Sequence, residues 1–230
     1  MANRRDYGTF SRVALRQLRP LVENMGYRHL EKTCFVRERD EWVEGFFLHE
    51  TYHGGGFFWV EIGIDIPKLN ILRQNDPNSF GLTIGARLDQ KGIHHGASFY
   101  PSENAAELKA SIEQVANDLH GAEPWFARFQ SMSDIANKYK SCNNVDAIDD
   151  DKHLSTISNT NYGYLLLLAG RNDEAKLWLE IAHRQCQAII MEHETSFQRR
   201  KPGKESLRYY ELDLARLKAV ESALSEKSNE

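Results

Sequence analysis

Phe58-Trp59-Val60-Glu61-Ile62-Gly63-Ile64-Asp65-Ile66 is the stretch on which the fold turns. Glu61, Gly63 and Asp65 alternate with apolar residues, the period of an antiparallel strand with one face in a core. Upstream, Trp42 to Leu48 is equally rich in aromatic and β-branched residues, and Gly54-Gly55-Gly56 lies between the two runs. Glycines there permit positive φ at a tight connection, so the pair reads as a hairpin. Working outward, Cys34 and Val36 close a short strand, Phe80 to Leu88 forms another with Ile84, Ala86 and Leu88 in alternation, and Ala97 to Tyr100 a last short one. Asn75-Asp76-Pro77-Asn78-Ser79 is loop. The reading is an antiparallel meander of four or five strands.

Helices flank the meander. Phe10, Ala14, Leu18, Leu21 and Met25 recur at three- and four-residue spacing from about Tyr7, with Gly26 where a C-cap glycine belongs and Pro20 predicting a kink or restart. After the strands, Ser102 is the expected N-cap of a helix carrying Leu108, Ile112, Val115 and Leu119, which Gly121 ends; Pro124 then begins a helix with Trp125, Phe126 and Phe129. Ser141 to Asp151 is polar and predicts a linker. Asn161 to Ile181 predicts a helical hairpin that is similar to one tetratricopeptide unit, with Ala169, Gly170 and Ala175 as small residues at the crossing. No second copy follows at that period, so a solenoid is not indicated. Arg199-Arg200-Lys201-Pro202-Gly203-Lys204 is a basic turn before a last helix from about Glu205 to Glu226, with Leu207, Tyr210, Leu214, Leu217 and Leu224 as its stripe.

The composition fits an ordinary globular chain. Of 230 residues, 41% are hydrophobic and 27% charged, for a formal net charge of −4. That excludes a collagen, a disulfide scaffold and a strongly basic nucleic-acid binder. No apolar run approaches the length of a membrane helix, and no h-region opens the chain, so a soluble, cytoplasmic protein with no membrane partner is expected. The odd, scattered Cys34, Cys142 and Cys186 fit reduced thiols.

His49-Glu50-Thr51-Tyr52-His53 matches H-E-x-x-H. That motif needs a helix, where positions i and i+4 point the same way and share one zinc. In a strand the two histidines would stand roughly 13 Å apart. His94 and His95 are the nearest further ligands. The motif is therefore read as a strand end and turn, with no cofactor or metal, and a metal-dependent hydrolase on His49, Glu50 and His53 stays as the alternative. Arg12, Arg16 and Arg19 form a basic stripe, and through residue 40 there are nine Lys/Arg against five Asp/Glu. A solvated helix face accounts for it, and no nucleic-acid motif accompanies it. Asp146, Asp149, Asp150 and Asp151 are acidic without EF-hand spacing. His183 and Cys186 are helical neighbours without an orienting third group.

The order of these elements carries a resemblance. A helix ending Leu-Val-Glu-Asn-Met-Gly-Tyr is followed by Cys34-Phe35-Val36-Arg37, the aromatic strand at Trp42, Phe58-Trp59-Val60-Glu61-Ile62-Gly63-Ile64, and Pro124-Trp125-Phe126. Over about residues 7 to 140 the chain resembles the bacterial domain of unknown function numbered four-three-zero-four. The resemblance implies no catalytic residues and places its strand pair over His49 to His53. The style of the chain is also similar to immunity proteins of bacterial toxin systems.

The expectation is thus an α+β domain over residues 1–140, an acidic linker over 141–152, and a helical region over 153–230. The expected function is non-enzymatic protein binding, concretely toxin neutralisation, with Asp149, Asp150, Asp151, Trp42 and Trp59 as partner-binding residues. A helical-hairpin adaptor, holding a peptide or a second copy of the chain through residues 154 to 226, is the other alternative.

Overall fold

The structure, a computed structural model, describes residues 7–51, 56–69, 81–89, 92–93, 99–143 and 152–226. It is α+β: an antiparallel sheet in the N-terminal half is followed by helices. The chain divides into two compact units, Met1–Pro67 with Phe80–Phe129, and Lys68–Ser79 with Gln130–Glu230. The helix Met132–Cys142 thus belongs to the second unit, and residues 144–151, with Asp146, Asp149, Asp150 and Asp151, lie outside the described residues.

In the first unit, helix α1 (Tyr7–Val22) precedes strands β1 (Arg28–Glu31), β2 (Cys34–Glu38), β3 (Val43–Glu50), β4 (Phe57–Asp65), β5 (Ile84–Asp89), β6 (Gly92–Ile93) and β7 (Tyr100–Pro101). Strands β1 to β6 lie in chain order and β7 pairs with β4, so the meander carries two short strands, β1 and β6, beyond those the periodicity marks. The hairpin at the triple glycine is β3–β4: His49 faces Trp59, Glu50 faces Phe58, and the Thr51 N–H donates to the Phe57 carbonyl at 3.2 Å. Helix α2 (Ala105–Phe126) follows β7.

Period-two alternation puts one set of residues into the main core, while Cys34 and Val36 form a smaller buried cluster with Leu30, Val43, Phe47 and Leu82. Phe46, Leu48, Phe58, Val60, Ile62 and Ile64 all face the core at 3% exposure or less. Phe10, Ala14, Leu18 and Val22 of α1 and Ile112, Val115, Leu119 and Ala122 of α2 are buried in the same unit, and the Phe10 and Phe58 rings meet at 5.4 Å. Each such large apolar side chain contributes about 1.5–3 kcal/mol by leaving water. Polar bonds fix α2: the Tyr100 hydroxyl donates to Asp118 at 2.8 Å, and Ser111 Oγ donates to the Pro101 carbonyl at 2.7 Å.

Three boundaries differ from the expected ones. The α1 stripe continues to Val22, while Leu21 is exposed; four-residue steps from Leu18 outrun the three-residue step. Helix α1 runs through Pro20, and the chain leaves through a 3₁₀ turn at Gly26, where φ is +83° and glycine carries no Cβ penalty. Helix α2 does not stop at Gly121. Gly121 and Pro124 are both exposed, while buried Ala122, Trp125 and Phe126 hold the last turns. Its N-cap is Asn104, whose side chain accepts from the Ala106 and Glu107 N–H groups, rather than Ser102, whose N–H donates to the Gly56 carbonyl.

The second unit contains α3 (Met132–Cys142), α4 (Lys152–Leu168), α5 (Asn172–Arg199) and α6 (Lys204–Glu226). The α4–α5 connection bonds Gly170 N–H to the Leu167 carbonyl and Arg171 N–H to that of Leu166, a Schellman-type ending. The close crossing is at Gly163 rather than Ala169 and Gly170: a Cβ on Gly163 would stand 2.8 Å from Leu179 Cδ2, whereas Gly170 opens onto free space. On α6 the buried residues are Asp213, Val220 and Ala223, with Leu207 exposed. Among the described residues no helix is long and apolar enough to cross a membrane.

Cys34 and Cys186 are buried, and burial pushes their thiols up to about 12 and about 11. Cys142 is exposed. A thiol reagent at neutral pH is therefore expected to label one cysteine quickly in the native protein and three after denaturation. Since the two buried thiols stay protonated in the fold but ionise near pH 9 when unfolded, stability should fall as pH rises from about 9 toward 11. The expected loss is about 1 kcal/mol per buried thiol by pH 10, read as a drop in urea midpoint. Prompt labelling of a second cysteine in the native protein would contradict both statements.

Candidate functional site

The sheet's odd-numbered positions in β3 and β4 point away from the core formed by Phe46, Leu48, Phe58 and Val60, because successive strand side chains alternate. Register then sets His49 opposite Trp59, and Glu61 opposite Arg87. The result is a row across three strands. The His49 imidazole stacks on the Trp59 indole at 5.0 Å and 16°, and the Arg87 guanidinium carbon sits 5.2 Å from the same indole. Phe99 meets the indole edge-on at 6.2 Å and lies 5.9 Å from Arg87. Phe47 flanks His49 at 5.7 Å, and His49 Nε2 is 3.2 Å from a Glu61 carboxylate oxygen.

This face is open in part: Phe57 is 40% and Phe99 43% exposed, and Trp59 is half-buried. Large aromatic rings and an arginine in one patch are the residue types that dominate binding energy where proteins meet. Cation–π contact holds the indole from one side and ring stacking from another.

Of the residues expected to bind a partner, Trp59 is therefore the centre of the patch. Trp42 is elsewhere. It precedes β3, seven residues from His49, so strand rise separates the two tryptophans by roughly 20 Å. Its Nε1 is buried with no hydrogen-bond partner among the described residues. Asp149, Asp150 and Asp151 lie outside the described residues, as do His53, His94 and His95. His49 and Glu50 are in a strand, so they point to opposite faces of the sheet. Among the described residues no group of three or more His, Cys, Asp or Glu is placed to hold a metal ion.

No family model matches the chain. No curated protein and no solved structure matches it either.

The other charged constellation of this unit is Arg37. Its guanidinium donates to Glu44 at 2.5 Å and, in a two-pronged pair, to Glu123 at 2.7 and 2.8 Å. It lies 4.7 Å from the Tyr27 ring and 5.2 Å from Phe126. Burial works against its charge, but the bonded Glu123, with Tyr27 and Glu44, outweighs it and holds the guanidinium protonated more firmly than usual. Burial also raises the Tyr27 hydroxyl well above its ordinary range, with Arg37 opposing. Arg37 and Glu44 are enclosed and bonded to each other, while Glu123 is partly exposed and the Tyr27 hydroxyl has no hydrogen-bond partner among the described residues; the Arg37–Glu44 pair suits a structural clamp.

In the second unit, Asp213 is 4% exposed and receives Arg216 at 2.6 Å, with His193 Nε2 at 3.4 Å. His183 Nε2 lies 3.2 Å from Glu221 on α6. Lys140 caps the Trp178 ring at 5.0 Å. Asp213 and Arg216 are an i,i+3 pair within α6, whereas the His193, His183 and Lys140 contacts each join two helices and leave no trace in sequence spacing.

Proposed function

We propose that the chain is a non-enzymatic protein-binding protein, concretely an immunity protein that neutralises a bacterial toxin by covering its active site. The single observation that carries the binding role is Trp59, clamped between His49 and Arg87 on an open sheet face and flanked by exposed Phe57 and Phe99. A rigid aromatic anchor with an adjacent cation is the pattern of an interface centre. The toxin is suggested by the similarity in style to immunity proteins of bacterial toxin systems. In this reading Asp149, Asp150 and Asp151 supply carboxylates for a basic partner, Trp42 adds a peripheral contact, and the tetratricopeptide-like hairpin offers a second protein-binding element.

The test is to mix the purified protein with the product of the adjacent gene and measure the complex by size and affinity. A stoichiometric complex is expected, with Trp59→Ala raising Kd about thirtyfold, or about 2 kcal/mol, and Trp42→Ala changing it far less. Circular dichroism confirms that the variants fold. Absence of a complex, or one indifferent to Trp59→Ala, would overturn the assignment.

A further inference from the structure

The α5–α6 turn concentrates cations that the fold does not use. Arg199, Arg200, Lys201, Lys204 and Arg208 are all exposed, against one acidic residue, Glu205, in the same ten positions of a chain whose net charge is −4. Among the described residues none of the five side chains has an ion-pair or hydrogen-bond partner. Other arginines divide: Arg19, Arg28, Arg37, Arg39, Arg171 and Arg216 each meet a carboxylate within 3.1 Å, while the exposed Arg12, Arg16, Arg128 and Arg184 meet none among the described residues, so what marks the turn is the density of its cations.

Helix stability does not account for the cluster. Arg199 at the end of α5 complements the helix dipole, but Lys204 opens α6, where positive charge is unfavourable. Lys204 and Arg208 also repel at i,i+4. Lys204 and Arg208 thus work against α6, and only Arg199 returns anything to the fold.

Beside the turn, α5 presents an open groove of about 560 Å³ lined by Met191, Glu192, Thr195, Ser196, Arg199 and Arg200. Met191 is 66% exposed, the most exposed large apolar side chain among the described residues, and Leu207 on α6 is also exposed. The groove is thus apolar at Met191 and cationic at Arg199 and Arg200.

We infer that this corner docks an acidic, leucine-bearing segment of a protein partner. Its carboxylates pair with Arg199, Arg200 and Lys201, and an apolar side chain lies against Met191. Charge complementarity selects an anionic partner. Met191 selects protein over nucleic acid, because a phosphate backbone has no apolar group to lay against it; Glu192 opposes either anion and favours one whose charges fall on the Arg199 and Arg200 side. The inference is independent of the reading of Trp59, because it concerns the other unit and different side chains.

The probe is a short fluorescent peptide alternating Glu and Leu, titrated into the full chain at low and at physiological salt. Binding that weakens with salt is expected. The double variant Arg199→Glu/Arg200→Glu should raise Kd about tenfold, and Met191→Ser several-fold, with circular dichroism unchanged since all three positions are exposed. A peptide alternating Glu and Ser should bind more weakly than the Leu peptide. Failure of the Leu peptide to bind, indifference to the arginine reversal, or equal binding of the Ser peptide would overturn the inference. So would tighter binding of a single-stranded oligonucleotide or of anionic phospholipid vesicles. Trp59→Ala should leave peptide binding unchanged, so failure of either proposal is told apart from failure of the other.

Discussion

Arg37→Met is expected to destabilise the protein by about 3 kcal/mol, the largest loss foreseen for a single side chain. The substitution retains much of the bulk between the Tyr27 and Phe126 rings, so packing is not the main term. The charge is. Glu44, whose side chain is 2% exposed, would keep only Arg39, itself 48% exposed at 3.1 Å. Removing Arg37 leaves the buried Glu44 carboxylate with a single, half-exposed counter-charge in place of its enclosed partner, which is why the cost exceeds that of a surface pair. Urea denaturation with an unchanged m-value measures it. The double variant Arg37→Met/Glu44→Leu should recover most of the loss, because it removes the stranded carboxylate. A drop below about 1 kcal/mol for the single variant would show that water reaches the site.

Gly63→Ala should cost about 2–3 kcal/mol. A Cβ there would stand 2.3 Å from the Ile84 carbonyl oxygen and 2.4 Å from Leu82 Cδ2. The oxygen belongs to the paired strand β5 and cannot retreat without disturbing the ladder. Gly85, directly opposite in register, is the control. Its Cβ would meet the Leu82 methyl at 2.9 Å and Glu61 Oε1 at 3.3 Å, the ends of flexible side chains, so Gly85→Ala should cost under about 1 kcal/mol. Equal costs at the two positions would show that side-chain crowding by Leu82, not the backbone, makes the site intolerant.

The sheet was legible because its evidence is local. Alternation over Phe58 to Ile66 is carried by nine adjacent residues, and the hairpin by the glycines beside them. Helix ends were less so. Gly121 and Pro124 have breaker chemistry, yet both fall on the wet side of α2, and burial of Trp125 and Phe126 overrides them. Similarly, Leu21 and Val22 are equally apolar, and only the rotation of α1 decides which is inside.

The candidate site was legible in one residue of its row. Trp59 stands out as a tryptophan on a half-buried strand. Its partners do not, because His49 and Arg87 reach it through the register of β3 and β5 against β4. The Phe99 contact likewise depends on the return of the chain to β4 at Tyr100. Pairings this distant in sequence leave no periodic trace. The same holds for Gly163, whose value lies in a leucine sixteen residues away on another helix.

The stacked row of His49, Trp59 and Arg87 also bears on how contact with another molecule would be made. Side chains that already brace one another have surrendered their rotamer freedom during folding, at about 0.5–1.5 kcal/mol apiece that need not be surrendered again on association. A body arriving at this face meets a stamp already cut.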